Sequence, residues 1–195
     1  MGKNRLEAFS DGVLAIIITI MVLELKAPHG ADLKSLSPLV HILLSYILSF
    51  IYIGIYWNNH HHLFHATSRV SAGILWANLH LLFWLSLFPF ATAWIGENQL
   101  SSVPTAMYGG ILLMAGVSYY LLQQTIIRHQ GRNSLLATAL GRDWKGLASM
   151  FIYVAAIPVA FLSPWLAIAL YTTVAAIWLI PDRRIERALQ QHEPS

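Results

Sequence analysis

Long uncharged stretches alternate with short charged ones along the chain, and this pattern predicts a series of membrane-spanning helices. A helix needs about 20 mostly apolar residues to cross a bilayer. Six stretches fit this requirement, and we therefore predict an all-α, polytopic membrane protein in which residues 1–195 form a single six-helix domain. The predicted spans are residues 6–25, 36–60, 70–95, 103–127, 144–162 and 164–180.

The last two spans are predicted from one continuous stretch without charge, residues 146–181. This stretch is too long for one span and suits two short ones. We divide it at Ser163-Pro164, because proline restricts the residue before it and favours the start of a helix.

Basic residues fall mostly in alternate predicted loops, which indicates an orientation in the membrane. Short cytoplasmic loops carry an excess of lysine and arginine. With the N-terminus inside, only Lys26 and Lys34 of the 12 lysines and arginines lie outside. Five spans would instead place Arg183, Arg184 and Arg187 outside. Six transmembrane helices with both termini cytoplasmic are therefore predicted.

Composition agrees with this interpretation and excludes several kinds of chemistry. Hydrophobic residues make up 56% of the chain and charged residues 11%, against about 25% charged residues in ordinary soluble domains. The chain has no cysteine, which excludes disulfides, iron–sulfur clusters and thiolate catalysis. A net charge of +3 is too small to indicate nucleic acid as a partner.

The first span begins with a polar cluster, Arg5, Ser10 and Asp11, that leads directly into the uncharged residues 12–23. A charged side chain at membrane depth costs roughly 2.5–3.5 kcal/mol on insertion scales. Asp11 is therefore expected to have a protein partner or a functional role. Ser10 and Asp11 are also residues that cap helix starts, where an acidic group is favoured by the helix dipole.

Beyond this cluster, large apolar residues recur on one side of the first helix. At 100° per residue, Ile16, Ile20 and Leu23 share one arc with Thr19 on its flank, and Asp11 lies about 140° from Ile16. The acid and the apolar stripe therefore point in different directions, and one could face a symmetry axis while the other packs into the subunit. By periodicity alone, such a stripe is more typical of a lipid-facing or packing surface than of a pore wall.

The segment RLEAFSDGVLAI resembles the start of the prokaryotic homologues of the endolysosomal potassium channel called transmembrane protein 175. In that family an Arg-x-x-x-Phe-Ser-Asp motif opens the first of six helices. The motif is matched at every position by Arg5, Phe9, Ser10 and Asp11. The resemblance covers the whole chain and continues in Trp57, His60, Asn78 and the pair Pro89-Phe90.

The resemblance implies a potassium channel, built as a homo-oligomer and by analogy a tetramer, whose pore is lined by the first helix of each subunit. The pore constriction would consist of Ile16, Ile20 and Leu23, with Thr19 as a pore-lining flank. A closed ring of apolar side chains excludes water and acts as a hydrophobic gate. Potassium would be the permeant ion, no cofactor is expected, and the protein would not be an enzyme.

The family also implies a fold without a re-entrant filter loop, and the chain has no Thr-Val-Gly-Tyr-Gly sequence. Tyr108-Gly109-Gly110 is interpreted as a site where a neighbouring helix packs closely.

For the motif we predict a structural role. Arg5 and Asp11, with His60 and Asn78, are expected to form a cytoplasmic-side network that joins the first three helices, because a buried charge needs such partners. The same group of motif and network residues includes Phe9, Ser10 and Trp57.

Two alternatives remain at this stage. His61 and His65 are four residues apart and could hold a metal on one helical face, as in a membrane-embedded metal-dependent enzyme. Such an enzyme would need a second histidine cluster, and the sequence has none. A small secondary transporter is the other alternative, although no paired repeat is evident. The single six-helix repeat suggests a prokaryotic plasma membrane as the location.

Overall fold

The computed structural model describes residues 2–131, 136–137 and 143–179, and most of these residues are helical. A 3-10 helix, Leu33–Leu39, precedes the second α-helix. The α-helices are α1 (Lys3–Leu23), α2 (Val40–His65), α3 (Ala72–Ser86), α4 (Phe88–Glu97), α5 (Ser102–Gln130), α6 (Trp144–Leu162) and α7 (Pro164–Leu179).

Five helical stretches among the described residues are long and apolar enough to cross a membrane. They are Lys3–Leu23, Leu33–His65, Ala72–Glu97, Ser102–Gln130 and Trp144–Leu162. The shorter apolar helix α7 has 16 residues and spans about 24 Å. Residue 180, where the sixth predicted span ends, lies outside the described residues.

The charges that predicted the orientation are only partly described. Arg132, Arg142, Arg183, Arg184 and Arg187 lie outside the described residues. Six crossings and cytoplasmic termini therefore stay predictions.

The second span differs from the predicted residues 36–60 at both ends. Leu33–Leu39 is a 3-10 helix that contains Pro38, and regular α-helix begins only at Val40. Proline lacks the N–H that an α-helix interior needs, which favours this late start. At the other end α2 continues to His65, so the four histidines of residues 60–65 occupy its last turns.

The third span, residues 70–95, contains two helices rather than one. Helix α3 ends at Ser86 and α4 begins at Phe88, with Leu87 between them. Pro89 lies in the first turn of α4, where its missing N–H costs nothing but where it would clash with the carbonyl of a continuous helix. Pro158, by contrast, lies inside α6 without ending it.

Helix α5 packs against α3, α4, α6 and α7, whereas α1 lies against α2, α3 and α4. The contact of α5 with α7 is close at Gly109. A side-chain carbon at this position would overlap the hydroxyl of Tyr171, which donates to the carbonyl of Thr105 at 3.3 Å. The interpretation of the Tyr108-Gly109-Gly110 segment as a close-packing site is therefore confirmed at Gly109, whereas a side-chain carbon at Gly110 would meet no atom within 4 Å. One side of α1 is not covered by any of these helices.

Candidate functional site

One face of α1 is buried against the rest of the subunit. Its members follow one another at intervals of three or four residues, which places them on one side of a helix. Each is at most 3% exposed, and helices α2, α3 and α4 cover this face. The residues of the buried face are Leu6, Ser10, Leu14, Ile17 and Met21.

Another face of α1 carries the apolar stripe predicted from the sequence, and it is uncovered. Ile16 is 60% exposed, Ile20 43% and Leu23 74%. Thr19 is exposed beside them, and its hydroxyl donates to the carbonyl of Ala15 at 2.8 Å. Thr19 and the apolar side chains of the stripe are therefore not covered by the rest of the subunit.

A buried polar triad ties α1 to α2 and α3. The Asn78 side-chain amide donates to the Ser10 hydroxyl at 2.9 Å, and Ser10 donates in turn to the Leu6 carbonyl at 2.9 Å. Nε2 of His60 lies 2.8 Å from Oδ1 of Asn78. Since that oxygen can only accept, His60 carries its proton on Nε2. All members of the triad Ser10, Asn78 and His60 are at most 3% exposed.

Two members of the predicted network, Asp11 and Arg5, do not join the buried triad. Asp11 is exposed and accepts a hydrogen bond from Nε1 of Trp57 at 3.1 Å, at the surface. Arg5 is exposed, and among the described residues it forms no hydrogen bond or ion pair with Asp11, His60 or Asn78. Neighbouring residues on a helix are 100° apart. Because Ser10 faces the core, Asp11 is therefore turned towards the exposed side of α1.

Asp11 and the apolar stripe are both exposed in the subunit. Phe9 of the motif is 48% exposed, and it lies on the helix side that continues into Ile16 and Ile20. The four motif residues thus divide into one that anchors the helix, Ser10, and three that face outwards.

A second anchor, which was not predicted from the sequence, lies near the other end of α1. The Thr92 hydroxyl is 2.6 Å from the Phe88 carbonyl, 2.6 Å from the Ser49 hydroxyl and 3.8 Å from the sulfur of Met21. Ser49 in turn is 2.9 Å from the Tyr108 hydroxyl. The available signal was a threonine shortly after Pro89 in an otherwise apolar run.

The histidines at the end of α2 contact one another. The rings of His61 and His65 are stacked with centroids 6.0 Å apart, and the rings of His61 and His62 are 5.6 Å apart. Across the described residues, no group of three or more metal-binding side chains is positioned to hold an ion.

Comparison with known proteins gives a consistent result. The family model described as endosomal/lysosomal potassium channel TMEM175 matches residues 5–89, which include the motif, the triad Ser10, Asn78 and His60, and the whole stripe. A protein of Chryseobacterium named as a potassium channel is 55% identical over 192 residues, which cover 98% of this chain and 100% of the relative.

A solved structure is similar over nearly its whole length. It is the crystal structure of a lysosomal potassium-selective channel TMEM175 homologue from Chamaesiphon minutus, with a TM-score of 0.81 and 28% identity. The match covers 92% of this chain and 97% of that chain. A more distant relative, from Gallus gallus, is named endosomal/lysosomal proton channel TMEM175. It is 27% identical over 67% of this chain and 29% of its own length.

Proposed function

Because the chain belongs to the TMEM175 family, we propose that it conducts potassium through a pore lined by α1 of each subunit. The resemblance predicted from the Arg-x-x-x-Phe-Ser-Asp motif is confirmed. The protein is a multi-pass membrane potassium channel and not an enzyme, with potassium as its permeant ion. The pore lining, its gate and the assembly are the features that we propose in addition.

The uncovered stripe of α1 is the observation that carries this proposal. Ile16, Ile20 and Leu23 are at least 43% exposed, although they belong to a helix whose buried face is at most 3% exposed. Repeating α1 around a symmetry axis turns each position of the stripe into a ring. The rings of Ile16, Ile20 and Leu23 would form the constriction, with Thr19 beside them.

An apolar ring controls ions by excluding water. An isoleucine side chain offers no oxygen to a potassium ion, so a narrow ring is a barrier from which water also withdraws. When the ring widens, the ion passes with most of its hydration shell. Selection then rests on the radius of the ring and on the cost of partial dehydration, which is lower for potassium than for sodium.

The triad Ser10, Asn78 and His60 would hold the pore helix in place rather than bind ions. It is buried away from the stripe and joins α1 to two other helices. Asp11 and Trp57 would form a surface pair at the same end, and Arg5 and Phe9 would contact neighbouring subunits or water at the pore entrance.

The remaining features of the assembly follow from the predictions made above. We place six crossings in each subunit, both termini in the cytoplasm, and four subunits in a homotetramer within a prokaryotic plasma membrane. Each copy would contribute one α1, so that four copies would supply the four α1 helices around the axis.

The test is ion flux from liposomes that contain the purified protein. Potassium, sodium and proton gradients are applied in separate experiments, since the chicken relative is named as a proton channel. Potassium flux well above sodium flux is the expected result. Equal potassium and sodium flux would contradict a selective pore. Proton flux without potassium flux would contradict potassium as the permeant ion.

A further inference from the structure

A cavity lies between α2, α5, α6 and α7, away from α1. It is located in the half of the bundle that carries the motif, because it is lined by the second half of α2 and the first turns of α6. Its enclosed volume is about 50 Å³, which is room for a few water molecules or for one small ligand group. No part of the proposed pore uses it.

Aromatic rings dominate the wall of this cavity. Such a concentration of aromatic side chains with few polar groups is typical of ligand sites. The electron-rich faces of these rings attract cations. The six aromatic residues are Tyr52, Tyr56, Tyr119, Tyr120, Tyr153 and Trp178.

A cation already contacts one of these rings. Nζ of Lys145 lies 4.7 Å from the centroid of the Trp178 ring, within the distance of a cation–π interaction. Nε1 of Trp178 donates to the Ser149 hydroxyl at 2.8 Å, which fixes the orientation of the ring. Trp178 is thus held in a position suited to a positively charged group.

One acidic group completes the wall. Oδ1 of Asp143 accepts a hydrogen bond from the backbone N–H of Gly146 at 2.9 Å, and within the described residues this carboxylate forms no ion pair. Its negative charge therefore remains available to a ligand in the cavity. The Asn59 amide nitrogen, by contrast, is used by the Ile55 carbonyl at 2.8 Å.

Some tyrosine hydroxyl groups of the cavity form hydrogen bonds within the protein, and others do not. Tyr153 donates to Tyr52 at 3.2 Å and Tyr52 donates to the Tyr171 carbonyl at 2.6 Å. No hydrogen bond in the described residues involves the hydroxyl of Tyr56 or Tyr120. The cavity therefore offers ring faces, oxygen lone pairs and a carboxylate, which suit a cation better than an anion.

We propose that this cavity binds a quaternary ammonium group, with the Tyr and Trp rings around its methyl groups and Asp143 as the counter-charge. A quaternary ammonium ion carries a spread positive charge and no N–H, so ring faces recognise it without needing hydrogen bonds. The group could come from soluble choline or from the headgroup of a choline lipid. Lys145 competes with it for the Trp178 ring.

The test uses the full-length protein in nanodiscs of phosphatidylglycerol, which has no ammonium headgroup. Choline is titrated by isothermal calorimetry, and the uncharged molecule of the same shape, 3,3-dimethylbutan-1-ol, is titrated in parallel. Choline is expected to bind at least about tenfold more tightly. Absence of choline binding, or equal binding of both molecules, would overturn the proposal.

Variants assign the binding to the cavity. Asp143→Asn keeps the ability to accept from Gly146 and to cap α6, and it should weaken choline binding about tenfold. Trp178→Leu should weaken it by a similar factor. Lys145→Met should tighten it a few-fold, because it removes a competing charge.

Ile16→Asn controls for binding in the pore, which is also a path for cations. It should bind choline as the unaltered protein does. A change in Ile16→Asn without a change in Asp143→Asn would place choline in the pore and overturn the proposal. Nanodiscs that include phosphatidylcholine distinguish the two sources: weaker apparent binding of added choline supports a lipid headgroup, and unchanged binding supports a soluble cation.

Discussion

The two faces of α1 contain the same kinds of residue but have opposite surroundings. Leu14 and Ile17 are 2% and 3% exposed, whereas Ile16 and Leu23 are 60% and 74% exposed. Hydrophobicity cannot explain this difference, because lipid is as apolar as a leucine side chain. What distinguishes the buried face is Ser10 and its hydrogen bond from Asn78.

The comparison shows that polar contacts select which side of a membrane helix faces its own subunit. A buried hydroxyl or amide without a partner costs about 1–3 kcal/mol, and in lipid there is no water to satisfy it. Turning α1 so that Ser10 faced the lipid would break the triad Ser10, Asn78 and His60. The apolar stripe is consequently left for another role.

The largest expected effect is the difference in stability between truncating the buried face of α1 and truncating its exposed stripe. Leu14→Ala should lower the free energy of unfolding by about 2–4 kcal/mol, because it leaves a cavity among tightly packed side chains. Ile16→Ala should lower it by less than about 1 kcal/mol, since its side chain is exposed. Titration with a denaturing detergent measures both values, and similar losses would show that the stripe is packed inside the subunit.

The next effect tests the polar anchor. Asn78→Ala should lower the free energy of unfolding by about 2–3 kcal/mol, because it removes two hydrogen bonds and leaves His60 buried without an acceptor. Asn98→Ala is the matched control. Asn98 is exposed and its side-chain amide donates to the Trp94 carbonyl of its own helix end, so the loss should stay near 0.5 kcal/mol. Equal values for the two variants would contradict an anchoring role.

A smaller effect concerns conduction through the exposed stripe. Ile16→Asn should raise potassium flux by about tenfold, since an amide allows water to remain in the ring. Val22→Asn changes a residue that is 44% exposed on the same helix but lies about 120° from Ile16. It should leave the flux unchanged. If both variants raise the flux alike, the stripe is not the constriction.

The smallest effect distinguishes Asp11 from its neighbour Ser10. Asp11→Asn keeps an oxygen that can accept from Trp57, and it should change the free energy of unfolding by less than about 0.5 kcal/mol at this exposed site. Thermal and detergent unfolding measure it. A loss above about 2 kcal/mol would show that Asp11 is buried in the assembled channel, with a partner on another subunit.

The sequence predicted the helical architecture well because membrane helices are long runs without charge. Neither the break at Leu87 nor the 3-10 helix Leu33–Leu39 followed from these runs. A proline in an apolar stretch is compatible with a kink, with a helix start or with an almost regular helix, as Pro158 shows. Which of these forms depends on the neighbouring helices.

For the candidate site, the sequence predicted relative directions but not absolute ones. A helical wheel places Asp11 about 140° from Ile16, and this holds for any rotation of the helix. The rotation itself is set by tertiary partners such as Asn78, which lies 68 residues away from Ser10. The wheel therefore identified the stripe and could not show that Ser10, rather than Asp11, enters the core.

The interruption at Leu87 has a mechanical consequence for the pore helix. A continuous helix bends and turns as one rod, whereas a break in its hydrogen-bond ladder lets its two parts tilt separately. Helix α3 holds α1 through Asn78 and Ser10, and α4 contacts it through Thr92 and Met21. The two ends of α1 are thus held by two helices, α3 and α4, that are joined by a hinge at Leu87. One end of α1 can therefore be displaced while the other keeps its contacts.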